Sequence, residues 1–421
     1  MDDTPAAALP EHYFRREFGR LVSVLSRRFG VSRLELCEDA AQTALLRAVE
    51  AWSSSGVPHD RGAWLYRVAQ NHVLDGLRRD KRSERYAPDI EREVTQPPVA
   101  QEVYLESEVE DDLLRLLFVC ADPKIVPESQ LVLALKTLCG FSTAEIALRL
   151  FQSEDAVHKR LQRARAKLRE HAVELDTPRV EELMDRVPRV LQMLYLLFNE
   201  GYSSAQAERV IRRELCEEAI RLARLLAAHA LSATPEAHAL LSLMYFQAAR
   251  FEARVDGAGE ILLMDEQDRS LWDRELVELG VYYLHRAAVG ERFSRYHAEA
   301  AIAAEHCLAP SFAHTRWEEI TRLYEMLERV APSPLNTLNR AIALAAWKGP
   351  DAGLAVLEAL DPPRWLAAYY LWDATLGELY RRRGDHEEAA ARLSRALQSA
   401  PTLAEKSLIR RRLDACASGQ R

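Results

Sequence analysis

The chain reads as all-α: two small helical domains followed by a long helical array. Three observations predict this. Apolar residues recur with helical period in almost every segment, and no convincing alternating strand appears. At 421 residues the chain is too long for one core, so it divides into several domains. An acid-rich, proline-containing stretch then marks where the first two domains part.

Composition narrows the classes. Hydrophobic residues make up 48% of the chain, ample for burial. The net charge is -8, yet the segment from His158 to Arg169 is strongly basic, so the acid lies elsewhere. Six cysteines are scattered without a Cys-x-x-Cys pair, which points to neither a disulfide framework nor a zinc finger. Met1 to Pro10 has no basic start and no apolar run, and no stretch approaches about eighteen apolar residues. A cytoplasmic protein without a membrane partner is expected.

The expected boundaries are a first helical domain over 11–83, an acidic linker over 84–112, a second helical domain over 113–174 and a C-terminal helical region over 178–415. In the first domain, a helix from Cys37 to Trp52 sets an apolar seam beside the polar edge of Glu38, Asp39 and Gln42, with Leu45, Leu46 and Val49 along it. After a loop from Ser53 to Asp60, a helix from Arg61 buries Trp64, Leu65, Val68, Val73, Leu74 and Leu77. It ends in the cations Arg78, Arg79, Lys81 and Arg82, as helix C-termini favour. The linker holds Pro88, Pro97 and Pro98 and is expected to be extended.

The second domain contains a helix-turn-helix suited to DNA. Ser142 caps its first helix while Glu145 reaches back, a capping box. Ser153 caps the second, with Glu154 and Asp155 at the positive end of the dipole. Ile146, Leu150, Val157, Leu161 and Leu168 form the apolar stripe, and small Ala147 permits close approach. The N-terminal half of such a second helix faces base edges, nominating His158, Lys159, Gln162 and Arg163 as readers. Arg160, Arg165, Lys167 and Arg169 are expected on phosphates, where they give affinity and salt dependence.

Taken in order, these pieces resemble the extracytoplasmic-function (ECF) class of sigma-70 factors, the RNA polymerase subunits that choose promoters. Cys37-Glu38-Asp39-Ala40-Ala41-Gln42 resembles that family's region 2.2, Arg61-Gly62-Ala63-Trp64-Leu65-Tyr66 with Arg78-Arg79 its regions 2.3 and 2.4, and the helix-turn-helix its region 4.2. The resemblance implies that Glu38, Asp39, Gln42, Leu45 and Leu46 bind core RNA polymerase, Thr43 standing where the family commonly has an acid. It implies that the Ser53 to Asp60 loop traps a flipped base. It further implies that Asn71, His72, Asp75, Arg78, Arg79 and Arg82 hold the separated strand at the minus-ten element, while region 4 docks the minus-thirty-five duplex. Glu91, Glu93, Glu102, Glu106, Glu108 and Glu110 of the linker would imitate nucleic-acid charge in a polymerase channel.

Beyond residue 175, Leu376-Gly377-x-x-Tyr380, Gly384-Asp385, Ala389, Leu393, Ala396 and Pro401 match the tetratricopeptide pattern, and a weaker copy runs from Asn336 to Leu360. The whole chain thereby resembles the ECF subgroup with a C-terminal tetratricopeptide-like domain, which implies promoter-directed initiation regulated by that domain and a protein or peptide as its ligand. The other reading is a helix-turn-helix regulator that senses a peptide through the array. Asp265, Glu266, Asp268 and Asp273, and the group Tyr296, His297, Glu299, Glu305, His306 and Cys307, match no zinc spacing. Asp268, Arg269 and Asp273 are expected as caps and ion pairs. No catalytic residue, metal or cofactor is expected, so the chain is not read as an enzyme.

Overall fold

The computed structural model describes residues 11–83, 106–150, 152–170, 180–202, 212–257 and 261–417. Among them the regular elements are helices, with one isolated antiparallel bridge between Val255 and Ile261. The chain divides into two compact units, Met1–Leu196 and Leu197–Arg421.

In the first unit, α1 (Glu11–Phe29), α2 (Leu34–Ser55) and α3 (Arg61–Ser83) form one bundle. Leu21, Val22 and Leu25 of α1 meet Cys37, Ala41, Ala44 and Ala48 of α2 and Leu65, Ala69 and Val73 of α3, all buried. The small residues along α2 let the other helices come close. Helix α2 runs through Ser55, so the expected pocket loop is shorter than Ser53 to Asp60 and starts at Gly56. Asp60 ends it by accepting from the Ala63 amide at 2.9 Å.

The second bundle of this unit comprises α4 (Glu106–Cys120), α5 (Pro127–Thr137), α6 (Thr143–Leu150) and α7 (Glu154–Glu170). The end of the expected linker, from Glu106 to Asp112, is therefore helical rather than extended; Glu91, Glu93 and Glu102 lie outside the described residues. Phe141, Ile146, Val157, Leu161 and Leu168 close the core between α6 and α7. The two bundles are in contact: α1 lies along α4, and the turn Val31–Arg33 lies against α7. Gly19 makes this possible, because a Cβ there would run into the Leu138 carbonyl oxygen.

A further helix, α8 (Val180–Tyr202), contains the boundary between the units. In the second unit α9 (Arg213–Ala228), α10 (Pro235–Ala248), α11 (Arg274–Ala287), α12 (Arg295–Leu308), α13 (Trp317–Val330), α14 (Pro334–Lys348), α15 (Pro350–Glu358), the short α16 (Arg364–Ala367), α17 (Tyr370–Arg383), α18 (His386–Ser399) and α19 (Leu403–Ala417) follow one another. Neighbours along the chain pack on each other, as stacked helix pairs must to bury their apolar faces. The pair α17 and α18 shows the local cause. Gly384 turns the chain at φ 91°, a left-handed conformation that favours glycine, and Asp385 caps α18 through the Glu388 amide. Gly377 admits Leu393, which would stand 2.8 Å from a Cβ, and Leu376, Ala389, Leu393 and Ala396 are all buried in the same core.

Candidate nucleic-acid interface

Helix α2 presents two faces. Asp39, Gln42, Leu46 and Val49 point outward, with Leu46 60% exposed, and Leu45 is half-buried beside them. This is an apolar strip next to an acidic edge, the composition of a docking surface. Glu38 differs from the expectation. About 100° round the helix from Asp39, it shares the inner face with Leu34, Ala41 and Leu45 and is only 2% exposed.

What holds Glu38 there is Arg165 of α7. One guanidinium nitrogen of Arg165 donates to Glu38 Oε2, and the other donates to Glu35 Oε1 at 2.9 Å. Arg165 was expected on a DNA phosphate and Glu38 on the polymerase; in this structure each answers the other. Burial pushes the Glu38 carboxyl up to about 7, overriding the opposite pull of Arg165 and Lys136, while Glu35 adds to the rise. The second oxygen, Oε1, is buried without a hydrogen-bond partner.

The same contact is reinforced elsewhere. Arg15 of α1 pairs with Glu145 at 2.6 Å and lies over the Phe141 ring at 4.4 Å. Glu145 is thus shared: it also accepts from the Ser142 amide at 2.8 Å, while Ser142 Oγ accepts from the Glu145 amide, the expected capping box. Arg27 pairs with buried Asp112 at 2.9 Å. Arg15, Gly19 and Arg27 went unnoticed in the sequence; only Gly19, a glycine inside an amphipathic helix, carried a signal of close approach.

The reader face of α7 remains outward. Ser153 caps the helix through the Ala156 amide, and His158, Lys159, Gln162 and Arg163 are all exposed along one flank. Among the described residues Lys159 and Arg163 have no ion pair. Arg160 is half-buried, Lys167 pairs with Glu170 at 2.8 Å, and Arg169 stands 3.9 Å from Glu35. On α3, Asn71, Asp75, Arg78 and Arg79 are exposed and His72 is half-buried, with Arg78 and Asp75 paired at 3.2 Å. The Arg82 side chain lies outside the description. Trp64 packs edge-on against buried Trp52 with ring centroids 5.6 Å apart, and the Tyr66 hydroxyl accepts from Arg28. Both aromatics therefore brace the bundle.

In the second unit, Asp268 accepts from the Ser270 amide and Asp273 caps α11 through the Leu276 amide. Among the described residues Arg269 forms no ion pair, contrary to expectation, and donates instead to the carbonyls of His306 and Ala309. His297 serves a capping box with Ser294. Among the described residues no group of three or more His, Cys, Asp or Glu is placed to hold a metal, and no helix is long and apolar enough to cross a membrane.

Comparison with known proteins follows the same division. Region 2 of the sigma-70 family matches residues 14–83, and its region 4 matches residues 127–168. Residues 186–288 match a family of unknown function (DUF6596), where a tetratricopeptide-like region was expected. An uncharacterized protein of Rhizobium meliloti (strain 1021) is 37% identical over 390 residues, 91% of each chain. No solved structure matches. Bearing region 2 and region 4 on the two helical bundles of its first unit, the chain belongs to the sigma-70 family, the transcription initiation factors that bind core RNA polymerase and recognise promoter DNA.

Proposed function

We propose that this sigma factor belongs to the ECF class and rests in a closed form that opens on core RNA polymerase. Asp39, Gln42, Leu45 and Leu46 dock on the polymerase, joined by Glu38 once Arg165 leaves it. Asn71, His72, Asp75, Arg78, Arg79 and Arg82 hold the melted minus-ten strand, with the flipped base in the Gly56 to Asp60 loop. His158, Lys159, Gln162 and Arg163 read the minus-thirty-five duplex, and Arg160, Arg165 and Lys167 hold its phosphates.

The observation that carries the closed form is the pairing of Arg165 with Glu38 and Glu35. The two promoter elements lie about 25 base pairs apart, which at about 3.4 Å per pair is roughly 85 Å. A region 4 helix in ion-pair contact with region 2 cannot span that distance, so binding both elements requires the contact to break. Each of its members then becomes available to an outside partner. The C-terminal unit, read as a tetratricopeptide-like array that takes a protein or peptide, biases this opening, and the protein acts in the cytoplasm.

Run-off transcription with purified core polymerase tests the reading. The full chain, or a truncation after residue 175, is expected to initiate at a promoter. A bismaleimide bridge between cysteines introduced by Glu35→Cys and Arg169→Cys should abolish initiation while leaving the reader face exposed. Promoter-independent or absent transcription from both forms would sink the assignment, and full activity of the bridged protein would sink the closed form.

A further inference from the structure

The second unit contains one buried and one half-buried cation that no acid of the described residues answers. Arg250, 6% exposed, follows α10; Arg269 lies in the loop before α11. Their guanidinium carbons stand 5.6 Å and 4.4 Å from the centroid of the same Trp272 ring, itself 6% exposed. Arg250 has one long hydrogen bond, from Nε to Gln267 Oε1 at 3.4 Å. Arg269 uses Nη1 for the carbonyls of His306 and Ala309, at 2.7 Å and 2.6 Å, while its Nη2 is buried with no partner. The Trp272 indole N–H is likewise buried with no acceptor.

The neighbouring acids do not compensate. The stretch from Asp265 to Asp273 is rich in carboxylates, but Glu266 goes to Arg411 and the Leu263 amide, and Asp268 and Asp273 go to backbone amides. The cations act on what surrounds them. Burial together with Arg250 and Arg269 holds the His306 imidazole down to about 4, so at neutral pH it adds no charge. Buried charges are ordinarily paired, because an isolated ion loses its hydration without return. Two guanidiniums over one indole ring, with Arg269 Nη2 and the indole N–H left without acceptors, offer the charge and the donors that a planar or tetrahedral oxyanion takes.

We propose that Arg250, Arg269 and Trp272 form a binding site for an oxyanion, a carboxylate or a phosphate group, carried by the ligand of the C-terminal unit. The site stands independently of the closed form and of promoter recognition.

Isothermal titration calorimetry on the full chain tests it, with inorganic phosphate and acetate as separate titrants and chloride at matched ionic strength as the control. Saturable binding of either oxyanion is expected, and the tighter of the two identifies the group. Arg250→Gln and Arg269→Gln should each weaken it by about tenfold, since each removes a charge-assisted bond. Trp272→Phe keeps an aromatic face, though a smaller one, and removes the N–H, so it should weaken binding less while leaving a cooperative thermal unfolding transition. Binding no stronger than chloride, or equal affinity in wild type and all three variants, would overturn the proposal.

Discussion

Arg165 in the first unit and Arg250 in the second are both largely buried cations, yet their surroundings differ in kind. Arg165, 13% exposed at its side chain, meets two carboxylates of its own chain. Arg250 and its neighbour Arg269 meet a ring, an amide and carbonyl oxygens. A cation answered by an acid from another bundle is an internal latch, since the acid and the cation are both set free when the bundles separate. A cation that no described acid answers can take one from outside. The same physical cost of burying charge therefore marks a contact to be broken in one unit and a contact to be made in the other.

The comparison breaks first at Arg165. Arg165→Ala leaves the 2% exposed Glu38 without its counter-ion, and the expected loss of stability in the first unit is about 2–4 kcal/mol by chemical denaturation. A loss under about 0.5 kcal/mol would mean that the pair contributes nothing to closure.

Glycine substitutions sharpen the contrast next. Gly19→Ala forces a Cβ against the Leu138 carbonyl, and Gly377→Ala forces one against Leu393. Each should cost about 1–3 kcal/mol by overpacking. Their consequences separate, however: Gly19→Ala pries the two bundles apart without touching any residue assigned to DNA or polymerase, so promoter-dependent transcription should be retained or raised. Gly377→Ala loosens the α17 and α18 pair and leaves the distance between α2 and α7 unchanged.

Acidity gives a graded version. The Glu38 carboxyl sits at about 7 in the closed form, above the ordinary carboxylate value near 4.5 that it regains when solvated. The closed form thus holds more protons between those two values, and closure weakens as pH rises through that window, by at most about 1.4 kcal/mol per pH unit. A fluorescence-transfer distance between α2 and α7 should lengthen from pH 5 toward pH 8, and an opposite trend would contradict the burial of Glu38. The smallest effect is expected at Lys167, whose partner Glu170 lies on the same exposed face. Lys167→Ala should leave stability within about 0.5 kcal/mol and lower the salt dependence of promoter binding by about one charge.

Much of this was legible in the chain. Both serine caps, the apolar stripe of α6 and α7 and the turn at Gly384 follow from short-range chemistry, in which the partner lies within a few residues. Glu38 is instructive because its signal was present but ambiguous. An acid next to Asp39 reads as one acidic edge, yet the helical period places it with Leu34 and Ala41 on the inner face. Its partner lies 127 residues away, and nothing in the local pattern points across that distance. Arg269 failed for the same reason: the acids beside it in sequence are consumed by nearby amides, and its own bonds reach to His306 and Ala309. Ser53 to Ser55 looked like loop because serines favour turns, but the Ser53 and Ser54 hydroxyls bond back to carbonyls of the preceding helical turn and α2 continues.

The central claim is that the latch between α2 and α7 opens on the polymerase. Pulsed electron-spin distances between labels on exposed Glu50 of α2 and Glu170 of α7, neither assigned to DNA or polymerase, test it directly, in the free protein and in a transcription-competent complex with core polymerase and promoter. A single short distance in the free protein, replaced in the complex by a separation longer by tens of ångströms, is the predicted result. An unchanged short distance in a complex that initiates transcription would contradict it.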